Sequence, residues 1–235
     1  MSCATLVLLN GKVYTFNPKK PTAQVVAIFE EKIVYVGENS EASKLIGPQT
    51  KVIDLDGKTV LPGFIDCHVH MASFGRSLSA INLRNVTSIT QIKELIKEKS
   101  QHLPLGAWIF GGGWDQEKFA EKRLPTRWDL DQASPKNPVV LFRVCTHICV
   151  ANTKALEKAE IGSDTTVPLG GQIDIEPSTG ELTGILRENA LELIFEAFPK
   201  ASEEEILQVC LMACRKAVEA GLTGVDWIVE SPTEM

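Results

Sequence analysis

Apolar and polar residues alternate in short bursts over the first part of the chain and then give way to helical spacing. Alternation at period two marks strands with one buried face. Asn10-Gly11 separates residues 6–9 from 12–16, and that dipeptide favours a two-residue hairpin. Residues 24–29 and 32–36 form a second predicted pair, turning at Glu30-Glu31 and stopping at Gly37. A third pair joins 51–55 to 59–61 through Asp56-Gly57 and runs straight into Leu61-Pro62-Gly63-Phe64-Ile65-Asp66-Cys67-His68-Val69-His70. Hairpins without a long helix between them predict an amino-terminal β-sandwich segment over 1–60, distinct from an α/β remainder over 61–235.

Beyond His70 the period lengthens. Ile89, Ile92, Leu95 and Ile96 mark one face of a helix, with Thr87 or Ser88 as its cap. Residues 108–110 and 139–144 read as strands, 152–159 as a helix, and 162–184 as loop or short strands. A further helical period starts at Thr183 or Gly184 and runs through Ile185, Leu186, Leu191, Ile194 and Phe195. Ser202-Glu203-Glu204-Glu205 is a capping box that opens the clearest helix, with Ile206, Val209, Cys210, Ala213 and Ala217 on its buried face. Gly221 ends it, and 222–229 reads as a strand.

The strand over 61–70 carries the candidate chemistry. Pro62 lacks an N–H and fits the first position of a strand. Side chains two apart leave a strand on the same face, so His68 and His70 can close on one divalent ion, each imidazole nitrogen about 2.0–2.1 Å from it. The chain holds four histidines, and two of them stand here at ligand spacing. Asp66 shares their face. It reads either as a carboxylate that orients a ligand imidazole or as a buried Asp satisfied by backbone N–H groups. Cys67 alternates to the opposite face.

Composition narrows the class. The 235 residues are 44% hydrophobic and 23% charged with a net charge of −6, so nothing favours nucleic acid or an anionic membrane as a partner. The apolar run over 6–9 has no basic stretch before it and does not read as a signal peptide. Six cysteines without such a signal read as reduced thiols, and the expected location is cytoplasmic. The expected partner is a small-molecule substrate, with homo-oligomerisation left open.

Several blocks carry a family resemblance in order along the chain. Besides 61–70 they are Gly112-Gly113-Trp114-Asp115, Leu124-Pro125-Thr126-Arg127 and Pro138-Val139-Val140-Leu141. Thr146-His147, Ala151-Asn152-Thr153-Lys154-Ala155-Leu156, Gly170-Gly171-Gln172-Ile173 and Gly180-Glu181-Leu182-Thr183-Gly184-Ile185-Leu186-Arg187-Glu188-Asn189-Ala190 follow. Together they resemble the amidohydrolase superfamily, specifically its amidohydrolase 3 (YtcJ-like) group of metal-dependent hydrolases. The resemblance implies a TIM (β/α)8 barrel with a β-sandwich, hydrolysis of carbon–nitrogen bonds other than peptide bonds, and a divalent metal, most simply zinc.

It also implies a partial barrel. Only 61–70 and 222–229 read as barrel strands, with an elaboration over about 82–199 between them. Ser231-Pro232-Thr233-Glu234-Met235 comes directly after the second strand. The expectation is an amino-terminal portion of a longer enzyme, inactive alone because the later ligands and the acid/base residue have no matching positions. The alternative is a non-catalytic fragment that binds metal weakly or serves assembly.

The remaining candidates concern substrate. Three glycines ahead of Trp114 and Asp115 let the backbone bend, so these two side chains either line a pocket or serve as core and helix cap. By the resemblance His147 lies near the substrate cavity, where it would hydrogen-bond a substrate carbonyl; the other reading is a satisfied structural histidine. The group usually has Gly at the position of Thr146, which implies a narrower pocket here. Cys145, His147 and Cys149 alternate, but an extended backbone sets the two cysteines about 13 Å apart, beyond what thiolates on one zinc can span.

Overall fold

Residues 3–229 are described by the computed structural model; the run 231–235 lies outside the described residues. The amino-terminal alternation produces β1 (Leu6–Leu9), β2 (Lys12–Tyr14), β3 (Thr22–Ala23), β4 (Val25–Phe29), β5 (Lys32–Gly37), a short helix α1 (Asn39–Ala42), β6 (Lys51–Asp54) and β7 (Thr59–Val60). These form two sheets, ordered β5-β4-β1-β6 and β3-β2-β7. The hairpin expected at Glu30-Glu31 is present, with β4 and β5 antiparallel and Glu30 at φ 55°.

The other two expected hairpins are not formed. β1 pairs with β4 and runs parallel to β6, whereas β2 pairs with β3 and runs parallel to β7. A type I′ hairpin turn needs positive φ at both central residues. At the first site Asn10 has it (φ 55°) and Gly11 does not. Gly11 instead donates its N–H to Gln24 O at 2.9 Å, and a Cβ there would stand 2.6 Å from Leu55 Cδ1. At Asp56-Gly57 a tight turn does form, with Lys58 N donating to Leu55 O at 2.9 Å. Gly57 N then donates to Asn10 O at 2.8 Å, so the two turns are tied together and each carries its chain from one sheet to the other. Val7, Val25, Ala27 and Ala42 fill one buried cluster, and Val13, Ala23 and Val26 fill another.

The contacts divide the chain into two compact units, Met1–Asp66 with Gly221–Val225, and Cys67–Ala220 with Asp226–Met235. Along the second run of chain come β8 (Phe64–Val69), α2 (Met71–Ser79), β9 (Ile81–Asn82), α3 (Ile89–Gln101), β10 (Ile109–Trp114), α4 (Arg127–Ala133), β11 (Val139–Arg143), β12 (Ile148–Ala151), α5 (Thr153–Lys158), β13 (Gly171–Ile175), β14 (Leu182–Glu188), α6 (Leu191–Phe195), α7 (Glu203–Glu219) and β15 (Leu222–Trp227). β8 and β15 make a two-stranded sheet. The capping box predicted for α7 is present, with Ile206 and Ala213 buried. α2 meets α7 backbone to backbone at Gly75, where a Cβ would lie 2.1 Å from Val209 O. Any larger residue there would force the helices apart.

Strands β9 to β14 build a six-stranded sheet, ordered β13-β14-β12-β11-β10-β9. β9, β10 and β11 run parallel, and β12, β14 and β13 continue antiparallel. Val139, Val140 and Leu141 are all fully buried because both faces of β11 are covered, as a continuous apolar run requires. Ile92, Ile96, Ile109, Trp114, Phe119 and Leu130 share one core cluster; Cys149, Ala155, Leu186 and Ile194 share another. The whole is a mixed α/β architecture, consistent with a partial, unclosed (β/α) barrel plus additional β elements.

Candidate metal centre and neighbouring polar groups

β8 ends at Val69, and His70 is the cap of α2, with φ −96° and ψ 80°. The His-x-His pair therefore stands at the carboxyl end of its strand. The two imidazole centres are 5.4 Å apart, with their planes inclined at 67°. An ion about 2.05 Å from one nitrogen of each ring lies about 3.2 Å from each ring centre, so the centres can stand up to about 6.4 Å apart. The spacing fits a shared ion. Both imidazoles are exposed and Asp66 is half-buried. Among the described residues no group of three or more His, Cys, Asp or Glu side chains is placed to hold a metal. Three protein ligands are usual in a catalytic zinc site, so the pair fits an ion as part of a site.

The three residues expected to meet substrate stand in different surroundings. Trp114 is fully buried in the core; its Nε1–H donates to Leu141 O at 3.0 Å, and its ring lies 6.3 Å from that of Phe119. Of the two readings of Trp114, this burial matches the core one. Gly113 takes φ 96°, and the pairing of β10 with β11 shifts register between Gly112 and Trp114. Asp115 is half-buried, accepts from Glu117 N at 3.3 Å and faces Arg143 Nη2 at 3.5 Å. Arg143 also donates through Nε to Gln116 Oε1 at 2.8 Å.

His147 lies in the β11–β12 turn and is exposed, with Nδ1 3.0 Å from Glu188 Oε2. Thr146 precedes it at φ 65°, and its Oγ1 donates to Cys145 O at 2.6 Å. A left-handed backbone is what glycine adopts freely and a β-branched residue does not. Thr146 therefore holds a conformation that glycine would take without strain.

The alternating cysteines are chemically unlike each other. Burial pushes the Cys149 thiol up to about 12, so it stays protonated. At Cys145 burial also pushes upward, but the hydrogen bond and charge of Arg143 and the backbone N–H of His147 outweigh it and hold the thiol below its ordinary value. Arg143 ends β11, and Glu188 ends β14, a strand where the spacing from Thr183 predicts a helix. Glu188 reaches His147 only through the antiparallel pairing of β12 with β14, which sets Ile148 opposite Arg187. Nothing local in the sequence marks that pairing.

An imidazole pair at the carboxyl end of a barrel-type strand, in a mixed α/β chain, is the placement of a barrel active site. The chain belongs to the amidohydrolase family, whose profile matches residues 51–232. It is 36% identical over 222 residues to the protein LONG AFTER FAR-RED 3 of Arabidopsis thaliana, covering 94% of this chain and 38% of that one. It is 31% identical over 226 residues to the N-substituted formamide deformylase of Arthrobacter pascens, covering 94% and 42% respectively. Among solved structures it superposes on an uncharacterized metal-dependent hydrolase from Pyrococcus furiosus with a TM-score of 0.71 at 30% identity, covering 97% of this chain and 45% of that one. The chain thus spans about two fifths of the length of its curated relatives. Among the described residues no helix is long and apolar enough to cross a membrane.

Proposed function

We propose that this chain carries part of the metal centre of a hydrolase acting on carbon–nitrogen bonds other than peptide bonds, amides foremost. The 5.4 Å spacing of His68 and His70 at the end of β8 carries the reading. Family membership and the formamide deformylase among the relatives support the substrate class. His68 and His70 hold a divalent ion, zinc being the best match to two imidazoles. When bound, such an ion polarises a carbonyl and lowers the pKa of water. Asp66 is the carboxylate that orients the imidazoles from the same strand. Asp115 and His147 contact a small-molecule substrate, and Trp114 supports them from the core. The amino-terminal sandwich segment, 1–60, is a separate domain from the hydrolase part, 61–235, and the protein works in the cytoplasm.

A second reading has one observation in its favour. With a two-imidazole donor set among the described residues, the chain alone binds metal weakly and acts as a structural or assembly module. Zinc titration by calorimetry separates the elements of the proposal. The wild-type chain should bind zinc, and His68→Ala and His70→Ala should each abolish it without changing the far-ultraviolet circular dichroism. Zinc binding that persists in both variants refutes the site. On N-acyl and cyclic amides, the zinc-loaded chain should turn over no faster than free zinc; robust hydrolysis lost in His68→Ala would mean that the ligand set is already complete.

A further inference from the structure

His147 and Glu188 are held together by backbone as well as side chain. Glu188 N donates to His147 O at 2.9 Å, next to the Ile148–Arg187 pairing of β12 and β14. Each end is set by a left-handed residue, Thr146 at φ 65° and Glu188 itself at φ 50°. Across this clamp the His147 Nδ1 and Glu188 Oε2 atoms lie 3.0 Å apart, with the two side chains 66% and 57% exposed.

An ionised carboxylate only accepts hydrogen bonds, so the proton between these atoms belongs to Nδ1. A neutral imidazole protonated at Nδ1 has a lone pair at Nε2. We infer that Glu188 is a positioning residue that fixes His147 in the Nδ1–H tautomer. Its free Nε2 then presents an acceptor to the substrate's N–H or O–H. This rests on the reading that His147 faces the substrate, and it changes what His147 does there: the neutral side chain has no proton left for a substrate carbonyl. The ligand class this selects is a primary or secondary amide, whose nitrogen still carries hydrogen, over a fully N-alkylated one.

Nitrogen-15 spectra of the metal-free chain at pH 9, assigned with His147→Ala, report which ring nitrogen is protonated. The ratio of Nδ1–H to Nε2–H tautomer should be about fivefold higher in the wild type than in Glu188→Ala, the upper end for a solvent-exposed pair. Glu188→Gln, which keeps the length and loses the charge, should fall between them and serves if the alanine variant does not fold. A ratio that changes by less than about threefold in both variants overturns the inference. A secondary amide should then shift the His147 Nε2 resonance and its N-methylated counterpart should not. If neither amide shifts it, the substrate-facing reading of His147 fails, while the tautomer result stands or falls by itself.

Discussion

Replacing Trp114 decides whether that residue belongs to a substrate pocket or to the core. Its side chain is fully buried, its N–H is bonded to Leu141 O at 3.0 Å, and Phe119 beside it is equally buried. Trp114→Phe keeps an aromatic ring but leaves a void of about 35 Å³, worth about 0.8 kcal/mol at 24 cal/mol per Å³. It also leaves the Leu141 carbonyl without that donor, at a further ~1–3 kcal/mol. The expected loss is therefore about 2–4 kcal/mol, and Trp114→Ala should cost about 3–5 kcal/mol or more. Urea unfolding followed by far-ultraviolet circular dichroism measures it as a lower midpoint at unchanged slope. For a chain of this size the thermal midpoint should fall about 2–4 °C per kcal/mol. A Trp114→Phe variant within about 0.5 kcal/mol of wild type that nevertheless binds amide ligands more weakly would refute the core assignment.

Two further outcomes follow from the backbone and from the charges. Thr146→Gly relieves a left-handed conformation that costs a non-glycine residue about 1–2 kcal/mol; against about 0.5–1 kcal/mol for the extra freedom of glycine when unfolded, a modest rise in the urea midpoint is expected, and a fall would show that the Thr146 hydroxyl matters more. Asp129 is pushed upward by burial, but the Arg123 guanidinium (2.7 and 2.8 Å), the Thr126 N–H and the Thr126 hydroxyl outweigh that and hold its carboxyl below the usual range. Because its folded pKa is depressed, its contribution is complete above the unfolded value of about 3.9 and is lost as pH falls through the lower folded value. Asp129→Asn should therefore destabilise the chain at pH 7 and narrow its gap to wild type below pH 3; a gap that stays constant over that range contradicts the assignment.

Local chemistry was enough for the features that sit within a few residues of each other. The His-x-His pair, the Ser202–Glu205 cap and the turn at Glu30 each depend on one short stretch whose periodicity or capping is self-contained. The family blocks add to this because each is contiguous in the chain. Asn10-Gly11 and Asp56-Gly57 carry the residue types of hairpins, yet they serve as crossings between sheets. That outcome depends on Gln24 and on each other, partners 13 to 47 residues away. Trp114 reads the same from sequence whether it faces core or cavity; the burial of Phe119 and the carbonyl of Leu141 decide it. Glu188 meets His147 across 41 positions through strand pairing alone. Short-range patterns determine which residues can do chemistry, whereas strand partners distant in sequence decide which of them face each other, because pairing energy is set by the register of whole strands and leaves no mark at a single position.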